Sequence, residues 1–404
     1  MTASTESAQL PTAQRKSEER RALGVACGAH VLHDGYTDLI YVMLPIWQSE
    51  FGLGFAALGL MKTVFSGTLA GFQIPAGFLA ERFGAALVLA LGTALAGFGY
   101  CLAGLSTGIA LLVAALFVGG LGASTQHPLA SSLIAQAFSG TRSRTALGTY
   151  NFSGDIGKMT LPAAASLLFV VLPWREAVAL LGGIGVLAAI AIYLLMPRLH
   201  VEPAAPRRTE GGGHAGGATR AYGFPLLLSV GVIDSATRMA FLTFLPFVLT
   251  AKGASLPTVG LALTLVFAGG AAGKLVCAFI GARIGTVATV WLTETVTALG
   301  IVALLPLPLE LALVLLPVVG VALNGTSSVL YGSVPDLVEP ARRPRAFGIF
   351  YTGTIGAGAV SPALYGLLGD AVGVPSALVV VAAVVLITLP ITLVLRPALA
   401  SASG

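Results

Sequence analysis

The chain reads as a run of apolar stretches cut at near-regular intervals by glycine, proline and charge. A membrane-spanning helix needs about 20 apolar residues. Twelve segments reach that length: 22–48, 54–81, 85–105, 108–137, 143–172, 174–197, 221–251, 255–281, 286–306, 310–337, 344–371 and 373–396. A hydrophilic stretch, "RLHVEPAAPRRTEGGGHAGGATR", separates the first six from the last six and has the composition of a flexible linker. The pattern predicts an all-α membrane protein with twelve transmembrane helices in two pseudo-symmetric six-helix bundles. Its parts are a tail over 1–21, a bundle over 22–197, a linker over 198–220, a second bundle over 221–396 and a tail over 397–404.

The halves repeat. "MLPIWQSEFG" (43–52) matches "FLPFVLTAKG" (244–253), "ERFG" (81–84) matches "ARIG" (282–285), and "RSRTALGTY" (142–150) matches "RRPRAFGIF" (342–350). Two parallel six-helix repeats are a known transporter architecture.

Composition agrees with the pattern. The chain is 56% hydrophobic and 10% charged, against about 25% charged in a soluble domain. Its net charge of +5 is not gathered into a nucleic-acid patch. Arg15, Lys16, Arg20 and Arg21 precede the first segment, and Arg82, Arg142, Arg144, Arg283, Arg342, Arg343 and Arg345 fall in loops of the same side. Only Arg175 and Lys252 fall opposite. The positive-inside rule then places both termini in the cytoplasm of a bacterial inner-membrane protein. The N-terminus lacks the short apolar core of a signal peptide. Cys27, Cys101 and Cys277 are isolated, so neither a disulfide framework nor a metal site is expected. "GGLG" (119–122) lies inside a span and is no dinucleotide loop, and no cofactor is expected.

The chemistry sits where a membrane should forbid it. A charge at the centre of a spanning helix costs about 2.5–3.5 kcal/mol, so intramembrane ionisable groups mark function. In the first segment, His30, His33, Asp34, Thr37, Asp38 and Tyr41 follow helical spacing and form one polar stripe, with Tyr36 beside it. The seventh segment carries Asp234 and Arg238 on one face, either as a pair or with Arg238 offered to an anion. The fifth carries Asn151, Asp155 and Lys158, paired with each other or across a cavity with the first segment. Lys62 and Lys274 are further bases at depth, and Glu294 reads as structural. In the fourth segment Gln126 and His127 precede Pro128, which can break the helix and free backbone groups. Asn324, Ser327, Ser328 and Tyr331 give the tenth segment a neutral polar stripe.

"GFLAERFGA" (77–85), together with the repeated halves and the linker, resembles the major facilitator superfamily, whose loop between its second and third spans reads G-x-L-A-D-R-x-G-R. Gly77, Leu79, Ala80, Arg82 and Gly84 match, with Glu81 and Ala85 as departures. The resemblance implies that Glu81 and Arg82, with Asp336, Arg342 and Arg343 in the second half, latch the halves on the cytoplasmic side. Within the superfamily, "SEFGL" (49–53), His33–Asp34 and His127–Pro128 look like the fosmidomycin-resistance transporters, a branch of proton-driven exporters. "GDIGK" (154–158) departs from that branch, and the G-P-x-x-G-G antiporter motif of drug exporters is missing.

These features predict a functional monomer that carries a small, anionic organic solute or drug by alternating access, coupled to protons, with efflux the favoured direction. Asp34, His33, Asp38, Asp155 and His127 form the proton-coupling set. Lys158, Arg238, Tyr36, Tyr41, Asn151, Gln126, Asp234, Lys274, Asn324 and Tyr331 form the substrate set. The alternative is an importer or uniporter of an organic carboxylate or phosphonate without proton coupling. No nucleophile elbow, metal spacing or phosphate loop supports an enzyme, and mixed internal charges suit rocking halves better than a channel.

Overall fold

The computed structural model describes residues 12–138, 140–197, 222–339 and 342–400, all of them helix or short connection. The expected linker over 198–220 lies outside the described residues, as do 1–11 and 401–404 of the expected tails. The first half contains α1 (Thr12–Phe51), α2 (Phe55–Gly71), α3 (Gln73–Phe83), α4 (Ala85–Gly104), α5 (Ile109–Ala123), α6 (Gln126–Ala137), α7 (Gly140–Val171) and α8 (Trp174–Leu195). The second contains α9 (Gly223–Ala251), α10 (Leu256–Ile284), α11 (Thr286–Leu304), α12 (Leu309–Leu337), α13 (Arg343–Val372), α14 (Val374–Val385) and α15 (Thr388–Ala400). Residues 12–21, read from sequence as part of a tail, continue α1 without a break.

Three apolar segments read as single spans are each two helices, and each break has the same cause. Proline lacks an N–H and its ring crowds the carbonyl four residues before it. Pro75 follows Gly71 at the end of α2, Pro128 follows Ser124 after α5, and Pro390 follows Leu386 after α14. The α2–α3 pair bends by 42°. Among the described residues, ten stretches are long and apolar enough to cross a bilayer, and an eleventh counts if that bent pair is one span. The polar stripe of α1 lowers its hydropathy, and α1 is not among them.

The matched repeats share backbone geometry. Gly52 (φ 62°) and Gly253 (φ 87°) end α1 and α9, while Gly84 (φ 89°) and Gly285 (φ 82°) join α3 to α4 and α10 to α11. A left-handed residue at these helix ends favours glycine. Helix partners also correspond: α1 packs along α7 and α9 along α13, while α2 packs along α13 and α10 along α7. The largest apolar cluster draws on both halves, from Tyr41 and Trp47 to Phe241 and Leu245. Outward, Leu194, Leu275, Val314 and Leu364 stand exposed, a surface suited to lipid rather than water.

Hydrogen bonds cross both the α2–α13 and the α7–α10 seam, the first at the end that bears the α1–α2 turn. Asp370 of α13 accepts hydrogen bonds from the N–H groups of Phe55 (2.6 Å) and Ala56 (2.9 Å), so it caps α2 across the halves. On the other seam, Thr264 of α10 donates to the Met159 carbonyl at 2.6 Å.

Candidate functional site

A cavity of about 550 Å³ lies between the halves. Its charged lining comes from α1 (Asp34, Asp38), α2 (Lys62), α7 (Asp155, Lys158), α9 (Asp234, Arg238) and α10 (Lys274), so four bases face four carboxylates.

Close helix approach builds the first cluster. A Cβ on Gly154 would meet the Asp34 carboxylate and the His30 ring, and one on Gly157 would strike the Val31 backbone. These glycines let α7 lie against the polar stripe of α1, and the ring of His30 stacks on Tyr150 with centroids 4.0 Å apart. Asp34 is consequently crowded. Its Oδ2 lies 3.3 Å from Lys158 Nζ, and its Oδ1 lies 3.3 Å from His30 Nε2 and 3.8 Å from Nε2 of both His33 and His127. His127 reaches Asp34 because the α5–α6 break presents it at the start of α6. His30 Nδ1 is 2.8 Å from the Tyr150 carbonyl, which only accepts, so Nδ1 carries the hydrogen.

The second cluster bridges the halves. Lys274 of α10 donates to both carboxylate oxygens of Asp155 on α7, at 2.6 and 2.7 Å. Of the pairings left open by the sequence, Lys158 thus takes Asp34 and Asp155 takes Lys274. Tyr41 adds another bridge, its hydroxyl 3.2 Å from Met239 Sδ on α9. Lys62 is 1% exposed, donates to the Thr37 carbonyl at 2.6 Å and lies over the Tyr41 ring. Asp234 and Arg238 form no ion pair within 4.0 Å among the described residues, and Arg238 Nε has no hydrogen-bond partner there. Asp234 is buried, and so is Glu294, which stands outside the cavity lining.

His33, Asp34, Asp38, Tyr41, His127, Asn151, Asp155, Lys158, Asp234, Arg238, Lys274, Asn324 and Tyr331 all face this cavity. Tyr36 and Gln126 do not: they border a smaller pocket behind α1. Tyr36 donates to the Leu181 carbonyl at 2.5 Å and stacks on Tyr100, which is a packing role. Glu81, Arg82, Asp336 and Arg342 are exposed and stand outside the cavity lining; Arg82 lies over its neighbour Phe83, and Arg342 approaches Glu339 at 4.0 Å. Ser66, Phe267 and Tyr351 also line the cavity and escaped sequence reasoning. The internal repeat pointed to Tyr351, because it occupies the position matching Asn151.

The sequence model of the Major Facilitator Superfamily matches residues 26–229 and 227–403. The fosmidomycin resistance protein of Escherichia coli K12 is 26% identical over 364 residues, covering 86% of each chain. A probable sulfoacetate transporter of Cupriavidus necator is 27% identical over 42% of this chain and 40% of its own. A probable L-galactonate transporter of Escherichia coli K12 is 27% identical over 38% of this chain and 34% of its own. Among solved structures, a bacterial homologue of the human lysosomal transporter Spinster, in an inward-facing and unoccupied conformation, superposes with a TM-score of 0.76 at 15% identity, covering 96% of this chain and 98% of its own. A nucleoside transporter superposes with the same score of 0.76 at 13% identity, covering 93% and 99%.

Proposed function

This chain belongs to the Major Facilitator Superfamily and is a multi-pass membrane transport protein rather than an enzyme, and from that premise we propose a proton-coupled carrier of a small organic anion. The observation that carries the reading is the charge balance of the cavity. Lys158 is matched by Asp34 and Lys274 by Asp155, whereas Arg238 has no ion pair among the described residues. A proton on one carboxylate then leaves a base free to hold an anionic group. Asp34 is the coupling acid, with His33, His127, Asp38 and Asp155 around it. Arg238, Lys158 and Lys274 hold the anion, and Tyr41, Asn151, Asn324 and Tyr331 orient the rest of the solute. Two relatives are described as probable transporters of sulfoacetate and L-galactonate, both organic anions.

The architecture proposed is twelve spans in two six-helix halves, related by the repeats and corresponding helix partners above. Both termini are cytoplasmic, the membrane is the bacterial inner membrane, and the unit is a monomer. Export is the direction favoured, since one relative is described as a resistance protein. Glu81, Arg82, Asp336 and Arg342 serve as the cytoplasmic latch when the halves rock. The second reading, import or uniport of a carboxylate or phosphonate without proton coupling, is favoured by the complete Lys158–Asp34 and Lys274–Asp155 pairs, which balance charge without a proton.

Small phosphonates and carboxylates are expected to raise the melting temperature of the purified protein, and hydrophobic cations are not. In vesicles, Asp34→Asn is expected to abolish flux of the stabilising anion driven by a pH gradient, although the purified variant still folds and melts cooperatively. Normal gradient-driven flux in that variant rejects Asp34 as the coupling acid, and wild-type flux that survives collapse of the gradient selects the second reading.

A further inference from the structure

We propose that the carrier binds a divalent transition-metal ion of the Zn2+ class at His30 Nε2, His127 Nε2 and Asp34 Oδ1, with a fourth position open to the cavity. These ligand atoms lie within 4.8 Å of one another. Nothing in the sequence spacing announced the set, because His127 is brought to α1 only by the break between α5 and α6.

The argument starts at His30. Its Nδ1 donates to the Tyr150 carbonyl, so in the neutral tautomer the lone pair of Nε2 faces Asp34. That places an acceptor 3.3 Å from a carboxylate oxygen, yet Nε2 makes no hydrogen bond among the described residues. The residue is 3% exposed, so water does not relieve the mismatch freely. Two acceptors this close need a cation between them, either a proton or a metal ion. Ligand bonds of about 2.0–2.1 Å in a tetrahedral Zn2+ site place ligand atoms about 3.3 Å apart. The His30–Asp34 separation already has that value, while His127, 3.8 Å from the same oxygen and within 4.8 Å of the His30 nitrogen, has to move inward to complete the shell. A carbonyl behind the distal nitrogen is the usual support of a metal-bound imidazole, because it fixes tautomer and ring orientation. Lys158, on the other carboxylate oxygen at 3.3 Å, supplies a matching outer contact to Asp34. His33 Nε2 stands 3.8 Å from Oδ1 and lies outside the group whose atoms are mutually close.

Two imidazoles and one carboxylate select a borderline cation over Ca2+ or Mg2+, which prefer oxygen. Three protein ligands leave an open position, as in sites that exchange a ligand. That position faces the cavity, where water or an oxygen of the solute completes the shell. The ion uses the same atoms as the coupling proton proposed above, but its binding is independent of that reading and is measured without any gradient.

The test is titration of purified, tag-free protein with Co2+, followed by visible absorption, then displacement by Zn2+. One Co2+ per chain is expected, with the intense bands of four-coordinate geometry, bleached by Zn2+. His30→Gln and His127→Gln are each expected to weaken binding by at least about tenfold. A variant with Cys27, Cys101 and Cys277 all changed to alanine is expected to keep the spectrum, since these are the chain's three free thiols. Should His30→Gln fail to melt cooperatively, His127→Gln carries the test, because that side chain is partly exposed at the cavity. Bands typical only of six-coordinate Co2+, wild-type affinity in the folded histidine variants, or loss of the spectrum with the cysteines overturns the proposal. The first of these outcomes leaves the proton as the cation held there.

Discussion

Asp34 shows what one carboxylate can organise in a membrane. Unpaired, it would cost a helix centre about 2.5–3.5 kcal/mol. Lys158 and three imidazoles surround it instead, and Lys158 keeps that partnership while partly open to the cavity. The cost of breaking such a pair lies mainly in the partner left behind. Lys158→Met and Asp34→Asn should therefore each destabilise, and the double variant should lose less than the two losses added together. A coupling energy of about 0.5–3 kcal/mol is expected from unfolding measurements on all four forms. Strict additivity would mean that the contact contributes nothing.

Among helices, the decisive feature is how close α7 comes to α1. Gly35, Gly154 and Gly157 form a small-residue seam, the device by which helices approach in lipid without a hydrophobic drive between them. Gly157 faces the Val31 backbone, which cannot swing aside as a flexible side chain would. Gly157→Ala should cost about 1–3 kcal/mol through overpacking, read as a lower melting temperature. The same variant should weaken solute binding, because it draws Lys158 away from Asp34. Gly148 lies on the same helix with open space around it, and Gly148→Ala should leave the melting temperature unchanged or slightly raised.

For the molecule as a whole, the question is what holds the two halves in this arrangement. Asp370 answers part of it, since one carboxylate satisfies two N–H groups at the start of α2. An acid at a helix N-terminus gains from both hydrogen bonds and the dipole. Asp370→Ala should cost about 0.5–2 kcal/mol. It should also raise labelling of a cysteine placed in the cavity when reagent is supplied from the side of the α1–α2 turn. Unchanged labelling would show that the apolar seams alone keep that end shut. The Lys274–Asp155 pair joins the halves at the cavity, on the surface that a solute would touch, so the same groups that balance charge also tie one half to the other.

Much of this was legible in one dimension because a bilayer imposes strict rules. Low charge and repeated apolar length announced spanning helices, and Pro128 marked one place where a span breaks, whereas Pro45, Pro162 and Pro246 lie inside continuous helices. An expensive polar group in an apolar segment also announced its own importance, which is why His33, Asp34, Lys158, Arg238 and Lys274 could be named before any cavity was seen. Pairing was another matter. Helical periodicity fixes which residues share a face, but the partner of a charge depends on which helix lies opposite and how closely it packs. Spacing along α7 offered Asp155 to Lys158, yet neighbouring helices gave each another partner, and spacing along α9 offered Asp234 to Arg238, which form no ion pair among the described residues. Tyr36 and Gln126 belong to segments of the right polarity but face away from the cavity, because one step along a helix turns a side chain by about 100°, from the cavity-lining Thr37 and His127 to a helix seam. Local sequence determined the helices and their polar stripes, since those follow from backbone geometry and solvation. Only tertiary packing set the distances between charges, and those distances govern what the cavity can bind.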